Sequence, residues 1–264
     1  MVVPPKSARP RASMIAGTSP MRYLVLSDVH ANLEALEAVL ADAPAYEAVL
    51  SLGDLVGYGP NPNECVERVR SLPNLTSLVG NHDLAALGEL DLAAFNAYAS
   101  SSAEWTARRL DSEVRSYLGS LAPSLGCDGA FLAHASPRDP VWEYLETPDQ
   151  GPANFHRFES ALGFVGHTHV PRVFQETSSD EPSHVVMPGK DDEIDLGDGV
   201  RRIVNPGGVG QPRNGDPRAA YGIWDTEART FAFRRVPYSF EITQTKIRSA
   251  GLPHVLAERL AHGL

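Results

Sequence analysis

The chain has 264 residues, of which 42% are hydrophobic and 21% charged, a composition typical of soluble globular proteins with one large domain or two small ones. Its formal net charge of −10 at pH 7 argues against a protein that holds long nucleic acid by bulk electrostatic attraction. The chain has two cysteines without a CxxC spacing, which argues against a disulfide framework or a thiolate zinc site and fits a reducing cytoplasm. No apolar run approaches the roughly 18 residues of a membrane span.

The first 20 residues differ in character from the rest. They are rich in Pro, Ser and Arg, show no hydrophobic periodicity and lack the continuous apolar segment of a secretory signal. We predict a disordered N-terminal extension over residues 1–20, followed by a single domain over residues 21–264.

The first predicted strand is residues 22–26, which read Arg-Tyr-Leu-Val-Leu and run on towards Asp28 and His30. A short run rich in Val and Leu is typical of a strand buried on both faces of a mainly parallel sheet. If the backbone stays extended, Asp28 and His30 point to the same side, because side chains alternate along a strand. Asn32 can then cap a helix that ends before Pro44.

Two further strand–helix units follow. The predicted strands over residues 48–52 and 75–79 end in Gly53-Asp54 and in Gly80-Asn81-His82-Asp83, and a helix over residues 61–70 lies between them. Short links between alternating strands and helices predict parallel strands joined by right-handed crossovers.

The middle of the chain is helical and then returns to strands. Residues 84–118 are helical in character, and we assign Phe95, Tyr98 and Trp105 to the hydrophobic core. Buried strands are predicted over residues 130–133, which end at His134, and over residues 161–165, which end in Gly166-His167-Thr168-His169.

Beyond residue 169 the pattern changes to short strands with turns between them, which predicts an antiparallel half. The acidic run over residues 191–199 lacks the ligand order of an EF-hand, so we interpret it as a solvated hairpin. Residues 241–264 are helical, with a break at Gly251-Leu252-Pro253. The predicted fold class is α/β: two packed mixed β-sheets flanked by helices, a four-layer αββα sandwich.

Five predicted strands end in possible metal ligands, at the edge where open α/β sheets bind ligands. Five of the nine histidines stand there, and the other four, His156, His184, His254 and His262, are expected at the surface. One buried histidine is usually a hydrogen-bonded core residue, but together these groups supply oxygen and nitrogen ligands for two divalent cations. Without thiolates, such a set suits Mn first, with Fe, Zn, Co or Ni as alternatives.

The spacing DxH…GDxxG…GNHD…H…GHTH resembles that of the calcineurin-like metallophosphoesterases, and all five elements are intact between residues 22 and 169. The segments SDVHAN at 27–32, GYG at 57–59 and NPGGVGQPR at 205–213 are similar to the small bacterial phosphodiesterase branch of that superfamily. The resemblance covers nearly everything from Met21 to the C-terminal helices.

The resemblance implies a partition of the metal ligands. One cation would bind Asp28, His30, Asp54 and His169, and the other would bind Asp54, Asn81, His134 and His167, so that Asp54 bridges the two.

The resemblance also implies that His82 protonates the leaving group and that Asp83 orients His82; the alternative for His82 is a structural role. Asn32 and Arg213 are candidates for substrate binding. Asn32 equally suits a helix cap, and a surface salt bridge to Asp216 explains Arg213 almost as well.

The predicted function is hydrolysis of small phosphodiesters by a water activated between two metal ions. Phosphomonoesterase or protein phosphatase activity on the same site, and a non-catalytic scaffold on this fold, are the alternatives. Tyr58, Trp142, Tyr144 and Gly207 to Gly210 are expected to border a confined pocket for one base or aryl group. The expected partner is a small phosphate ester, neither a membrane nor long nucleic acid, and the oligomeric state stays open.

Overall fold

The structure is a computed structural model that describes residues 20–178 and 181–264. The extension predicted for residues 1–20 lies outside these ranges, apart from Pro20. Across the described part of the chain, none of the helices combines the length and the apolar character needed to cross a membrane.

Two six-stranded mixed sheets form the centre of the fold. The twelve strands, in chain order, are β1 (Arg22–Leu26), β2 (Ala48–Ser51), β3 (Leu75–Ser77), β4 (Ser124–Cys127), β5 (Ala130–Ala133), β6 (Leu162–Phe164), β7 (Arg172–Gln175), β8 (His184–Val186), β9 (Glu193–Asp195), β10 (Arg202–Asn205), β11 (Ala219–Asp225) and β12 (Thr230–Val236). The first sheet has the order β3-β2-β1-β11-β12-β9, and the second has the order β4-β5-β6-β10-β7-β8.

Eight α-helices flank the sheets in the described residues. They are α1 (Leu33–Asp42), α2 (Pro62–Arg70), α3 (Asn81–Leu87), α4 (Ala97–Ala107), α5 (Ser112–Leu118), α6 (Gly151–Phe155), α7 (Phe240–Ser249) and α8 (His254–Glu258). The predicted fold class, two packed mixed sheets flanked by helices, is confirmed.

The strand pairing confirms one prediction and corrects another. β1, β2 and β3 are parallel neighbours, as the strand–helix alternation predicted. The half beyond residue 169 is not purely antiparallel, because β10 pairs in parallel with β6 while it pairs antiparallel with β7. The edge strand β4 was not predicted, since a short half-exposed strand carries little hydrophobic pattern. β9 lies in the acidic run interpreted as a solvated hairpin, but it pairs with β12 and not within that run.

The central strand β1 is buried on both faces, and its side chains therefore divide between two cores. Leu24 and Leu26 join the core beneath the helices that cover the first sheet. Tyr23 and Val25 point the other way, into the core between the two sheets, where they meet residues such as Phe164. This alternation explains why the apolar run has no polar positions until it reaches the end of the strand.

The helical prediction for residues 84–118 is correct, but part of the core assignment is wrong. Trp105 is buried, whereas Tyr98 is 53% exposed. Phe95 precedes α4 instead of lying within it, because Asn96 is the cap whose side chain accepts from the first amides of that helix. The four histidines expected at the surface are exposed.

Candidate functional site

The predicted ligands converge at the carboxyl ends of β1, β2, β3, β5 and β6, where the two sheets meet. All seven are buried with at most 3% exposure: Asp28, His30, Asp54, Asn81, His134, His167 and His169. Six of them form two groups whose ligand atoms lie within 4.8 Å of one another and could each hold a metal ion: Asp28, His30 and His169, and Asp54, His134 and His167.

The backbone at this edge is not extended, which corrects the geometric reason given above for pairing Asp28 with His30. Five of the ligands have left-handed backbone conformations, namely Asp28 (φ 55°), His30 (φ 48°), Asp54 (φ 54°), His167 (φ 62°) and His169 (φ 60°). Such conformations cost non-glycine residues on the order of 1–3 kcal/mol each and cluster at functional sites. The side chains converge because the chain turns sharply at each strand end.

Backbone hydrogen bonds join these turns to one another. The amides of Asp28 and His30 donate to the carbonyls of Gly53 (3.1 Å) and Asp54 (2.9 Å) in the turn after β2. The amide of Gly210 donates to the carbonyl of Asp28 (2.9 Å) from the loop after β10. Main-chain hydrogen bonds thus join three segments that are far apart in sequence.

Asp54 belongs to the second ligand group and also faces His30 of the first. Its Oδ1 accepts from the amide of His82 at 2.8 Å, which fixes the carboxylate plane. Its Oδ2 has no hydrogen-bond partner and lies 3.6 Å from Nε2 of His30 and 3.4 Å from Nε2 of His134, one histidine from each side. Gly80 makes room for this carboxylate, because a Cβ at Gly80 would lie 2.1 Å from Oδ1 of Asp54.

Three of the histidines have their ring orientation set by backbone carbonyls. The Nδ1 atoms of His30, His134 and His169 lie 3.0, 2.8 and 2.5 Å from the carbonyl oxygens of Val56, Leu52 and Gln211. A carbonyl only accepts, so each Nδ1 carries a proton and Nε2 of each ring faces the site. This arrangement is typical of metal-ligating histidines.

The electrostatics of the site depend on burial and on the Asp54 carboxylate. Burial lowers the pKa of His167 to about 3 and that of His82 to about 4, so both rings are neutral near pH 7. Burial also opposes protonation of His134, but the Asp54 carboxylate outweighs it and raises the pKa of His134 to about 9. A cation bound beside His134 would therefore displace a proton.

Three buried polar atoms in this cluster have no hydrogen-bond partner: Oδ1 of Asp28, Oδ2 of Asp54 and Nε2 of His167. An unpaired buried polar atom usually costs about 1–3 kcal/mol. Here the three belong to ligand types that bind divalent cations and lie among other such ligands. The residues therefore fit the two metal ions that the ligand set implies.

His82 lies beside the ligand cluster, and Asp83 has a different role from the one expected. The His82 ring packs against Tyr58, at 4.3 Å between centroids, and its Nδ1 is buried without a partner. Asp83 accepts from the amides of Val56 and Gly80, both at 2.9 Å, instead of bonding to the ring. One oxygen binds an amide of the turn after β2 and the other binds the amide of Gly80 at the start of α3, so Asp83 fixes these turns and not the imidazole.

Asn32 is not free to bind substrate. Its Oδ1 accepts from the amide of Ala35 and from the hydroxyl of Thr243, and its Nδ2 donates to the carbonyl of Gly210 at 2.8 Å. The side chain is 1% exposed. The capping role is therefore correct, and the same side chain ties α1 to α7 and to the loop after β10.

Arg213 remains available for a ligand. Its Nη2 donates to Oε1 of Gln211 at 3.0 Å, and the guanidinium lies 5.7 Å from the Tyr58 ring centroid. No carboxylate of the described residues lies within 4.0 Å of it, and Asp216 instead pairs with Arg218. The alternative salt bridge between Arg213 and Asp216 is therefore wrong.

Aromatic side chains border the site on two sides. The Tyr144 ring lies 4.0 Å from the His167 ring, on the side of the second ligand group. On the other side, Phe95 lies 5.3 Å from the His82 ring and 5.0 Å from the Trp142 ring. The sequence analysis assigned Phe95 to the core and missed its place beside the site, although the capping residue directly after it would have placed it outside the helix.

The loop that carries Trp142 and Tyr144 is held by Glu143, whose side chain is 9% exposed. Glu143 accepts from Ser136 at 2.5 Å, from Asn154 at 3.3 Å and from Arg138. Burial would raise the pKa of Glu143, but the hydrogen bonds from Arg138, Ser136 and Asn154 outweigh it and lower the pKa below its usual value.

A family match now decides the assignment: the calcineurin-like phosphoesterase superfamily domain matches residues 21–229. The chain belongs to the calcineurin-like phosphoesterase superfamily. It is a metallophosphoesterase, and its superfamily uses divalent metals.

Individual relatives agree with this membership. The crystal structure of a metallophosphoesterase from Sphaerobacter thermophilus is 44% identical to this phosphoesterase, with a TM-score of 0.84 over 93% of this chain and 100% of that chain. An uncharacterized protein of Methanocaldococcus jannaschii is 40% identical over 246 residues, which cover 90% of this chain and 97% of that protein. A hypothetical protein from Pyrococcus horikoshii shares the fold at 22% identity, with a TM-score of 0.71 over 92% of this chain and 98% of that chain.

Proposed function

We propose that this metallophosphoesterase hydrolyses small phosphodiesters at a centre of two divalent cations. The observation that carries the dinuclear proposal is the unpaired Oδ2 of Asp54, which lies within 3.6 Å of a histidine from each group. One cation would be held by Asp28, His30, Asp54 and His169. The other would be held by Asp54, Asn81, His134 and His167. Mn is our first candidate, followed by Fe, Zn, Co and Ni, because the donors are oxygen and imidazole nitrogen.

When bound, the cations would supply positive charge that polarises the phosphoryl group and makes water more acidic. The protein contributes the geometry of the attack. Fixed carboxylates and imidazoles in a site with almost no exposure hold charge in place without reorganisation during the reaction. Arg213, which has no carboxylate within 4.0 Å in the described chain, donates to a non-bridging phosphoryl oxygen.

His82 supplies a proton to the leaving oxygen. Its Nδ1 is enclosed without a partner, so Nε2 is the nitrogen that carries the transferable proton. The ring is neutral near pH 7 in the isolated protein because burial lowers its pKa. A phosphate ester placed next to it adds negative charge, which raises the pKa of the imidazole and favours the acid form when it is needed.

The preference for diesters rests on the borders of the site. A diester carries two organic groups, and aromatic side chains stand on both sides of the ligand cluster: Phe95 and Trp142 beside His82, and Tyr144 beside His167. A monoester would use only one of these surfaces. Phosphomonoesterase activity is the second candidate, because the unpaired charge of Arg213 suits the additional negative charge of a monoester.

We also propose one domain over residues 21–264 and a cytoplasmic location. Both cysteines, Cys65 and Cys127, are free, which agrees with a reducing compartment. The acidic net charge of −10 weighs against long nucleic acid as a substrate.

The test compares kcat/KM for bis(p-nitrophenyl) phosphate, 2′,3′-cyclic AMP, p-nitrophenyl phosphate and single-stranded DNA at fixed Mn and salt. We expect the small diesters to be preferred, and we expect activity to be lost with EDTA and regained with Mn. His167→Ala should abolish the activity, and His156→Ala, at an exposed position, is the matched control that should keep it. A higher kcat/KM on the monoester or on DNA than on either small diester would refute the substrate class.

A further inference from the structure

Three rings form a continuous row that runs outward from the ligand cluster. The His82 ring meets Phe95 edge to face at 5.3 Å, and Phe95 meets Trp142 at 5.0 Å. Phe95 and Trp142 are both half-buried, so part of each ring is available to a ligand. The two come from different segments, one from the link before α4 and one from the loop between β5 and α6.

The loop that presents Trp142 is preorganised. The amides of Trp142 and Val141 donate to Oδ1 of Asp139 at 3.1 and 3.2 Å, and the adjacent Glu143 is anchored by the hydrogen bonds described above. Because these bonds fix the backbone of the loop that carries Trp142, the loop loses little conformational freedom when a ligand binds. The row is therefore suited to selective recognition of a planar group.

The position of the row relative to the chemistry determines which part of a substrate it meets. In the proposed function, on which this inference rests, the oxygen of water forms the new P–O bond. The P–O bond to the leaving alcohol breaks, and the proton of His82 goes to the alcohol oxygen. A group beyond His82 is therefore attached to the leaving oxygen, whereas a group beside Tyr144 and His167 stays on the phosphate.

We propose that the alcohol released by this phosphoesterase carries a planar aromatic ring, and that Phe95 and Trp142 are the residues that select it. Aromatic pairs in this distance range contribute beyond their buried area, in the range of roughly 2- to 10-fold in affinity. A saturated ring of similar size fills the same volume without this contribution, so the two kinds of ring can be compared directly.

The experiment uses methyl 2-phenylethyl phosphate and methyl 2-cyclohexylethyl phosphate with the Mn-loaded enzyme. Each diester can release either methanol or the ring-bearing alcohol, and the two products are separated by chromatography. We expect 2-phenylethanol to be the main alcohol released, with kcat/KM about 2- to 10-fold above that for release of 2-cyclohexylethanol. Predominant release of methanol from the phenylethyl diester would overturn the proposal.

Variants at Phe95 and Trp142 test whether these residues select the phenyl ring. Phe95→Leu and Trp142→Leu should each lower kcat/KM for the phenylethyl diester more than for the cyclohexylethyl diester, so that the preference for the phenyl ring falls towards unity. Tyr98→Leu is the matched control, since it removes an exposed aromatic ring of the neighbouring helix and should leave the preference unchanged. A preference that survives both leucine variants would overturn the assignment.

Two further measurements separate this inference from the proposed function. With the monoesters 2-phenylethyl phosphate and 2-cyclohexylethyl phosphate, the ring always leaves. Hydrolysis of monoesters but not diesters would refute the diester proposal, and the ring preference would still be measured. Calorimetric binding of 3-phenylpropylphosphonate and 3-cyclohexylpropylphosphonate measures the same preference without turnover. Equal affinities for the two phosphonates would overturn the ring selection.

Discussion

Replacement of Asp54 by asparagine tests whether one carboxylate serves both cations. Oδ1 of Asp54 accepts from the amide of His82 at 2.8 Å, so the side-chain oxygen of the asparagine in Asp54→Asn would keep that place. The NH2 group would then occupy the position of Oδ2, facing Nε2 of His30 and Nε2 of His134. A donor would replace a ligand atom, and the negative charge between the two groups would be lost.

The size of the expected loss in metal affinity follows from the negative charge that Asp54→Asn removes. Two unit charges 4 Å apart interact by about 4 kcal/mol at an effective dielectric constant of about 20, so removal of the carboxylate charge should cost a divalent cation at least roughly a thousandfold in affinity. At a free metal concentration about tenfold above the wild-type Kd, each position of the native enzyme is about nine-tenths occupied. A thousandfold loss reduces that occupancy to about one hundredth.

Metal content is measured by elemental analysis after equilibrium dialysis against Mn. We expect Asp54→Asn to lose metal from both positions and His169→Ala to lose metal from chiefly one. His156→Ala should retain both, because His156 is exposed. Full metal content in Asp54→Asn would refute the reasoning, and a loss of one equivalent would show that Asp54 belongs to a single position.

Three other changes probe the surroundings of the centre. His82→Ala should keep its metal and lose about 10²- to 10⁴-fold in rate on alkyl esters but much less on nitrophenyl esters, whose leaving group needs no proton; equal losses would exclude the proton-donor role. Glu143→Gln should destabilise the fold by about 1–2 kcal/mol near pH 7. Because the folded-state pKa of Glu143 is lowered, this gap is complete above the unfolded-state pKa near 4.3, shrinks as pH falls below that value and is lost once pH is below the folded-state pKa. A gap from urea unfolding that is the same at pH 7 and at about pH 3 would contradict this. Gly80→Ala should displace the Asp54 carboxylate and reduce metal content and Tm, whereas Gly126→Ala, whose added Cβ meets nothing closer than 3.9 Å, should change neither.

The sequence predicted the convergence of the ligands because two physical facts suffice for it. Apolar runs such as residues 22–26 identify buried strands, and parallel strands place their carboxyl ends at one edge. Asp28, Asp54 and His134 follow directly from that reasoning. The family spacing added the order of the elements and the partition between two metal positions.

The roles of Asn32 and Asp83 could not be predicted, because they depend on partners far away in the chain or on the backbone of the turn. Thr243, which donates to Asn32, lies 211 residues along the chain. The amides bound by Asp83 become neighbours only when the strand ends pack together. The alternation of side chains along a strand also does not predict the left-handed backbone conformations at residues such as His30.

The main-chain bonds between the ligand-bearing turns have an evolutionary consequence. The amide of Ala31 donates to the carbonyl of Leu55, and the amide of Val209 donates to the carbonyl of Ser27, both at 2.9 Å. These bonds use no side-chain atoms, but they need glycine at the points of closest approach: a Cβ at Gly210 would lie 1.9 Å from the carbonyl oxygen of Val29. Exposed residues that border the site, such as Tyr144, lie outside this framework of main-chain bonds and can be exchanged without breaking it. New substrate ranges can therefore arise by exchange of bordering residues, while the chemistry inherited from an ancestor stays unchanged.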